Sequence, residues 1–154
     1  MATYTASAAQ TSASGFFLQP PRYNEKGVQA RSVEFNFSTV TSAISAGDVI
    51  QMIPVAKGAV VLDLNVEASS AAGLAYTMSV GDGGNANRYA VSQSANANAV
   101  VVFRAASGIG YSYSVEDTID IKITTATSAT ATGTVRLTLF LAFDNAPDGA
   151  GGQN

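Results

Sequence analysis

Apolar and polar residues alternate in short runs along most of the chain, and a period of two is the signature of strands with one buried side. SVEFNFS sets Val33, Phe35 and Phe37 on one face. VIQMIPV at 49–55 predicts a second strand, with Pro54 at an edge or end, where a missing N–H costs least. Lys57-Gly58 reads as a hairpin turn into VVLDLNVEA, which points Val60, Leu62, Leu64 and Val66 inward. LAYTMSV at 74–80 repeats the pattern with Leu74, Tyr76, Met78 and Val80, and RYAVS follows with Tyr89 and Val91. AVVVFR at 99–104 is apolar on both faces, which predicts a central or doubly covered strand. TIDIKITT brings Ile119, Ile121 and Ile123 to one side, and TVRLTLFLAF closes the series with Val135, Leu137, Leu139, Leu141 and Phe143.

No segment carries a convincing 3.6-residue stripe. The Ala-rich pieces near 68–73 and 94–98 are the only helical candidates, and Gly, Ser and Asn interrupt them. About eight strands at these spacings predict an all-β protein built as an antiparallel two-sheet sandwich of jelly-roll or Greek-key type. An immunoglobulin-like sandwich ranks second, because its Trp and Cys markers are missing.

The body of the sandwich is expected over 31–144. Residues 1–30 open with a small polar tract and then gather Phe16, Phe17, Leu18, Pro20, Pro21, Arg22 and Tyr23 without an amphipathic period, which predicts an extended N-terminal arm that docks on a partner. Fully extended, such an arm reaches roughly 100 Å at about 3.3–3.6 Å per residue. Residues 145–154 are Gly-rich and read as a flexible tail.

Composition removes several kinds of chemistry. A chain of 154 residues without a composition break fits one domain with its own core. Charged residues make up only 12% and the net charge is −3, so there is no clustered basic face for a nucleic-acid partner. With no Cys and no His, disulfides, thiolate zinc sites and Ser-His-Asp or Cys-His catalysis are excluded within the chain. No run approaches the ~18 apolar residues of a membrane span. The N-terminal stretch has no basic and apolar secretory pattern, so synthesis in a cytosol is expected.

Two constellations are candidates for chemistry. VGDGGNANRYAV at 80–91 loosely matches a dinucleotide loop, yet a strand follows it and no Asp or Glu lies between Asp82 and Glu116. Asp82, Asn85 and Asn87 do not alternate as calcium ligands do, and Gln93 stands where a closing Glu belongs. A hairpin loop opened by Asp82-Gly83 is the expected reading. Glu116, Asp117 and Asp120 offer paired carboxylates of the glycosidase kind, but a solvated strand entry, with Asp120 and Lys122 on the outward face, is favoured. Asp63 and Glu67 are read likewise as outward positions of one strand. No catalytic residue, cofactor or metal site is therefore expected.

The run from about residue 49 to 92 joins an apolar strand ending in Pro, a Lys-Gly turn, a long alternating strand and a V-G-D loop followed by Arg-Tyr. It resembles small virion structural proteins of tailed bacteriophages, most of all capsid decoration or cement proteins. That resemblance implies a sandwich or jelly-roll body without enzymatic activity, symmetric homo-oligomers, and a terminal arm docked on the major capsid protein or another virion protein. A phage tail or fibre component with glycan binding is the second reading, and a small glycan-active enzyme or secreted binding module the third.

Overall fold

The computed structural model describes residues 1–6, 28–40, 44–70, 76–95, 100–126 and 133–143. The Phe16–Tyr23 cluster, Leu74 and the 145–154 tail lie outside the described residues. The described strands are β1 (Thr3–Thr5), β2 (Gln29–Asn36), β3 (Val49–Val55), β4 (Ala59–Ser70), β5 (Tyr76–Asp82), β6 (Ala90–Ala95), β7 (Val100–Arg104), β8 (Asp117–Ala126) and β9 (Gly133–Phe143). One sheet has the order β1-β3-β8-β5-β6 and the other β2-β9-β4-β7. All pairings are antiparallel except the parallel β1 and β3. This is the expected all-β two-sheet sandwich of jelly-roll or Greek-key type, with no α-helix among the described residues. Of the Ala-rich pieces, the described residues are strand, since β4 runs to Ser70 and β6 to Ala95.

The core follows the alternation closely in β9 and in most of β8. Val135, Leu137, Leu139 and Leu141 of β9 are fully buried, and Ile119, Ile121 and Ile123 of β8 face them from the other sheet. Burying each such side chain contributes about 1.5–3 kcal/mol. Tyr4, Phe35, Phe37 and Tyr76 form a chain of tilted and edge-on ring contacts at centroid spacings of 6.4, 5.5 and 5.1 Å, closing the sandwich on the β2 side.

Bulges explain where the alternation misleads. Register slips between Val61 and Asp63 against β9, so Val61 is buried and Leu62 is turned out at 38% exposure, with Val60 only half-buried. The expected inward Val60 and Leu62 are thus corrected, whereas Leu64 and Val66 stay inside. A slip on β3 between Gln51 and Ile53 buries both Met52 and Ile53. On β6, Ser92 adopts a positive φ of 48° at a slip that sets three residues of β6 against two of β5, which leaves Val91 55% exposed while Tyr89 is fully buried.

Three further differences concern connections. Lys57-Gly58 does turn the chain, with the Ala59 N–H donating to the Ala56 carbonyl, but β3 and β4 belong to different sheets, so the turn is a crossing and not a hairpin. AVVVFR is an edge strand and not a central one, because among the described strands β7 has only β4 beside it. Thr3–Thr5, which carries no periodic signal, lies against Val49–Gln51 as β1. Its seat is made by Asp48, a buried carboxylate that accepts from the Ala2 N–H at 2.6 Å and the Ser45 N–H at 2.9 Å. Burial works to raise the Asp48 pKa, and these donors outweigh it, leaving the carboxyl below its ordinary value. Since β1 stops opposite Gln51, Pro54 has Thr118 of β8 on one side and no described strand on the other.

Candidate interaction surface

The Gly-rich loop between β5 and β6 is a true hairpin connection, and it is built inward. Asp82, only 4% exposed, accepts from the Gly84 N–H at 3.1 Å and the Asn85 N–H at 2.7 Å, and its own N–H donates to the Asn85 carbonyl. Arg88 folds back onto the same carboxylate through Nε and through Nη2 at 3.2 Å, while its guanidinium lies 3.6 Å from the centroid of the Tyr111 ring. The Tyr113 hydroxyl donates to Asp82 Oδ2 at 2.9 Å and lies 2.7 Å from the Tyr89 hydroxyl. Burial pushes the Asp82 pKa up, but Arg88, Tyr113 and the Asn85 N–H together hold it below the ordinary carboxylate range. Both carboxylate oxygens are occupied by protein donors, so the loop is a structural knot with its charge already neutralised.

Glycine is required where this knot tightens. A side chain at Gly81 would meet the Asn85 carbonyl at 2.1 Å, because the loop folds over that point of β5. Gly108, at φ 72°, brings the segment after β7 against Arg88 and Tyr89, and a side chain there would meet the Arg88 carbonyl at 2.7 Å. The Ala106 N–H donates to the Tyr89 carbonyl and the Ser107 hydroxyl to the Arg88 carbonyl, so the two sheets are tied at this end of the β6/β7 side.

Beyond that tie, β7 runs open. No described strand pairs with its far side. Val100 and Val102 are 60% and 68% exposed, whereas Val101 and Phe103 face inward and are half-buried. The Ala105 N–H donates to Leu64 at 2.9 Å, in register with the β4 pairing. Alternation from that bond turns the N–H and C=O groups of Phe103 and Val101 toward β4, and those of Val100, Val102 and Arg104 toward the open side. Arg104, the only charge on the strand, is bound by Asp63 at 2.6 Å. That bond holds the Asp63 pKa below its ordinary value. The exposed valines were hidden in the sequence by their likeness to a buried run. The usable signal was the absence of Lys, Pro or inward charge, which a protected edge normally carries.

The remaining sequence candidates fall apart as chemistry. Across the outer face of the β2-β9-β4 sheet, Arg136 bridges Glu34 at 2.8 Å and Glu67 at 3.5 Å, so Glu67, like Asp63, is spent on a cross-strand pair. Glu116 is exposed, and Asp117 accepts from the Gly83 N–H at 3.3 Å and the Thr118 N–H at 2.8 Å. Asp120 is on the outward side of β8 as expected, but it is buried and not solvated, since it lies opposite Gly81 under the folded loop. Burial, with the charges of Asp117 and Asp82 nearby, pushes its pKa up to about 6 against the Thr118 hydroxyl bond. Among the described residues no three Asp or Glu side chains converge to hold a metal ion. The proposed arm residues Phe16, Phe17, Leu18, Pro20, Pro21, Arg22 and Tyr23 lie outside the described residues.

No protein-family model matches the chain, and no curated protein does. Solved structures do share its fold. A chain in the capsid asymmetric unit of cyanophage Pam1 superposes with a TM-score of 0.66 at 21% identity, over 77% of this chain and 86% of that one. A chain in the capsid of Ralstonia phage GP4 does so with a TM-score of 0.61 at 19% identity, over 78% and 86%. A more distant likeness, with a TM-score of 0.49 at 18% identity over 73% and 86%, is to the acidic stable capsid of Helicobacter pylori bacteriophage KHP30. Phage capsids are thus where the fold of this chain recurs, and they are the class of particle that the run at 49–92 resembles.

Proposed function

We propose that this chain is a non-enzymatic structural protein of a bacteriophage virion, which binds the capsid shell as a decoration or cement protein and forms a symmetric homo-oligomer there. The observation that carries the reading is the shared fold with chains of two phage capsids, each covered over 86% of its own length by about three quarters of this chain. Those chains are therefore of this chain's size or smaller, small parts of their particles. The strand order β2-β9-β4-β7 facing β3-β8-β5-β6 is read as an eight-stranded jelly roll, to which β1 adds an edge.

Docking is assigned to Phe16, Phe17, Leu18, Pro20, Pro21, Arg22 and Tyr23. Thr3–Thr5 and Gln29–Asn36 are both strands of the body, so the segment bearing these residues is tethered at each end. Its reach is about 35 Å out and back at about 3.4 Å per residue, far short of the roughly 100 Å of a free arm. That span suits a contact with the surface directly beneath the sandwich. Large apolar side chains buried there contribute about 1.5–3 kcal/mol each.

Co-sedimentation of the purified chain with empty shells of the phage that encodes it tests the reading. The wild type is expected to sediment with shells and to raise the temperature at which they disrupt. A combined Phe16→Ser, Phe17→Ser, Leu18→Ser and Tyr23→Ser variant keeps β1 and β2, and is expected to melt normally while binding shells at least about tenfold more weakly. Binding to tails alone would move the chain to a tail or fibre role. Unchanged shell binding by the variant would remove the docking assignment, and a lower melting temperature with dye binding would make the cluster a cover for the body itself.

A further inference from the structure

We infer that β7 is a self-recognition strand, whose open edge pairs antiparallel with β7 of a second copy about a twofold axis beside Val102. This adds the strand that joins the copies to the oligomer named above, and it holds whether or not the chain binds a shell.

The argument rests on which backbone groups face outward. Val100, Val102 and Arg104 direct both their N–H and C=O groups to the open side, as the Ala105 to Leu64 bond requires. These three residues are disposed evenly about Val102. A twofold axis at Val102 therefore sets Val102 against the second copy's Val102, and Val100 against the second copy's Arg104, with every outward group engaged. An axis at Val101 or Phe103, through a non-hydrogen-bonded pair, engages only two of the three outward residues on each strand, and one at Val100 or Arg104 engages only one, so the axis at Val102 is the one that uses all three. Geometry thus specifies a single register. Isologous pairing of this kind closes after two copies and does not propagate.

Side chains and charge permit the same approach. Val100 and Val102 stand on the outer face at 60% and 68% exposure, and the second copy's valines would extend that patch across the axis. Arg104, which would otherwise bring like charges to the seam, is neutralised by Asp63 at 2.6 Å. The other edge of the same sheet does not suit this role, because Arg31 points inward from β2 and Glu34 is charged on its outer face. A five-residue strand buries less than a standard protein interface, so the dimer is weak in free solution and gains strength where copies are held side by side.

The chain contains no cysteine, so a single introduced thiol reports the register cleanly. Val102→Cys is expected to oxidise to a covalent dimer, since directly opposed residues have Cα atoms about 5.5 Å apart, within disulfide range. Val100→Cys is expected to remain unlinked, because its equivalent sits some four residues away along the seam. Sedimentation of the wild type should show a concentration-dependent doubling of mass. Val102→Lys should abolish it up to concentrations at least about tenfold above the wild-type midpoint, with an unchanged circular-dichroism spectrum. Val102→Thr, which keeps the branched shape, should retain it. A wild type that stays monomeric at every concentration overturns the proposal. So does a dimer that survives Val102→Lys, or equal cross-linking from Val100→Cys. Amide protection of 100–104 independent of concentration would do so too, since it would assign the edge to another segment of the same chain.

Discussion

The two edges of the β2-β9-β4-β7 sheet are defended in opposite ways. On β2, Arg31 points inward from the edge and donates to the Pro54 carbonyl at 3.2 Å, linking the sheets, and Glu34 is paired with Arg136 on the outer face. The ring chain from Tyr4 to Tyr76 then fills the space behind β2. On β7 the sandwich is sealed at one end by the Asp82, Arg88, Tyr89, Tyr111 and Tyr113 knot, and beyond it the strand shows bare valine. An edge strand invites pairing unless charge, proline or a bulge discourages it. The difference teaches that, among the described residues, one edge of the sheet is guarded by charge and the other is not.

The largest break in that comparison should come from the knot. Asp82→Ala leaves Arg88 and Tyr113 without their acceptor, and the loss of one partner from a buried pair costs about 3–5 kcal/mol. Chemical denaturation should show that loss at pH 7, with amide protection of 105–113 falling before that of β2. The sign with pH is fixed by the lowered Asp82 pKa. Its stabilisation is complete above the ordinary carboxylate value and is lost as pH falls through the folded one, so the gap between variant and wild type should narrow in acid. An equal gap at all pH values would show that the charge is not what holds the loop.

Asp120 should behave in reverse. Its folded pKa of about 6 lies above the unfolded value, so its contribution is fully present below the unfolded value and is lost as pH rises through 6. Asp120→Asn is expected to stabilise the chain by about 1–2 kcal/mol at pH 8 and to change little near pH 3. Thermal melts at the two pH values check this, and a variant less stable than wild type at pH 8 would contradict the burial account.

The smallest effect on stability sharpens the edge comparison most. Arg31→Val with Glu34→Val strips β2 of its charge, and folding stability should stay within about 1 kcal/mol. Light scattering should nevertheless reveal concentration-dependent association that the wild type makes only through β7. If the stripped β2 remains inert, its protection lies in the neighbouring segments and not in the two charges.

Legibility in the sequence follows register and not position in the sheet. β9 keeps strict alternation along its length and is readable residue by residue, and β8 keeps Ile119, Ile121 and Ile123 inward up to its slip against β5 between Ile123 and Thr125. β4, β3 and β6 each carry a register slip, and one extra residue sends every later side chain to the other face, which is why Leu62 and Val91 appeared inward. β7 was misplaced because an uncovered apolar edge and a doubly buried strand share one composition. The Gly-rich loop was legible as a turn through Asp82-Gly83. Its partners Tyr111 and Tyr113 come from a distant segment, and no local spacing announces them. β1 has three residues, too few for any period, and is held by Asp48, whose role depends on the fold around it.

The strand order also sets when this protein can come into being. β8 separates β3 from β5, and β9 separates β2 from β4, yet these two strands are the last made. Until the ribosome has released residues beyond about 117, β2 and β3 have no antiparallel neighbour, and of the described ladders only β4 with β7, β5 with β6 and the three-residue parallel β1 with β3 are able to form. Folding must therefore be late, non-local and slow for the chain's size. During that interval the apolar stripes of both sheets stand uncovered, and unpaired strand edges of this kind are open to association between chains.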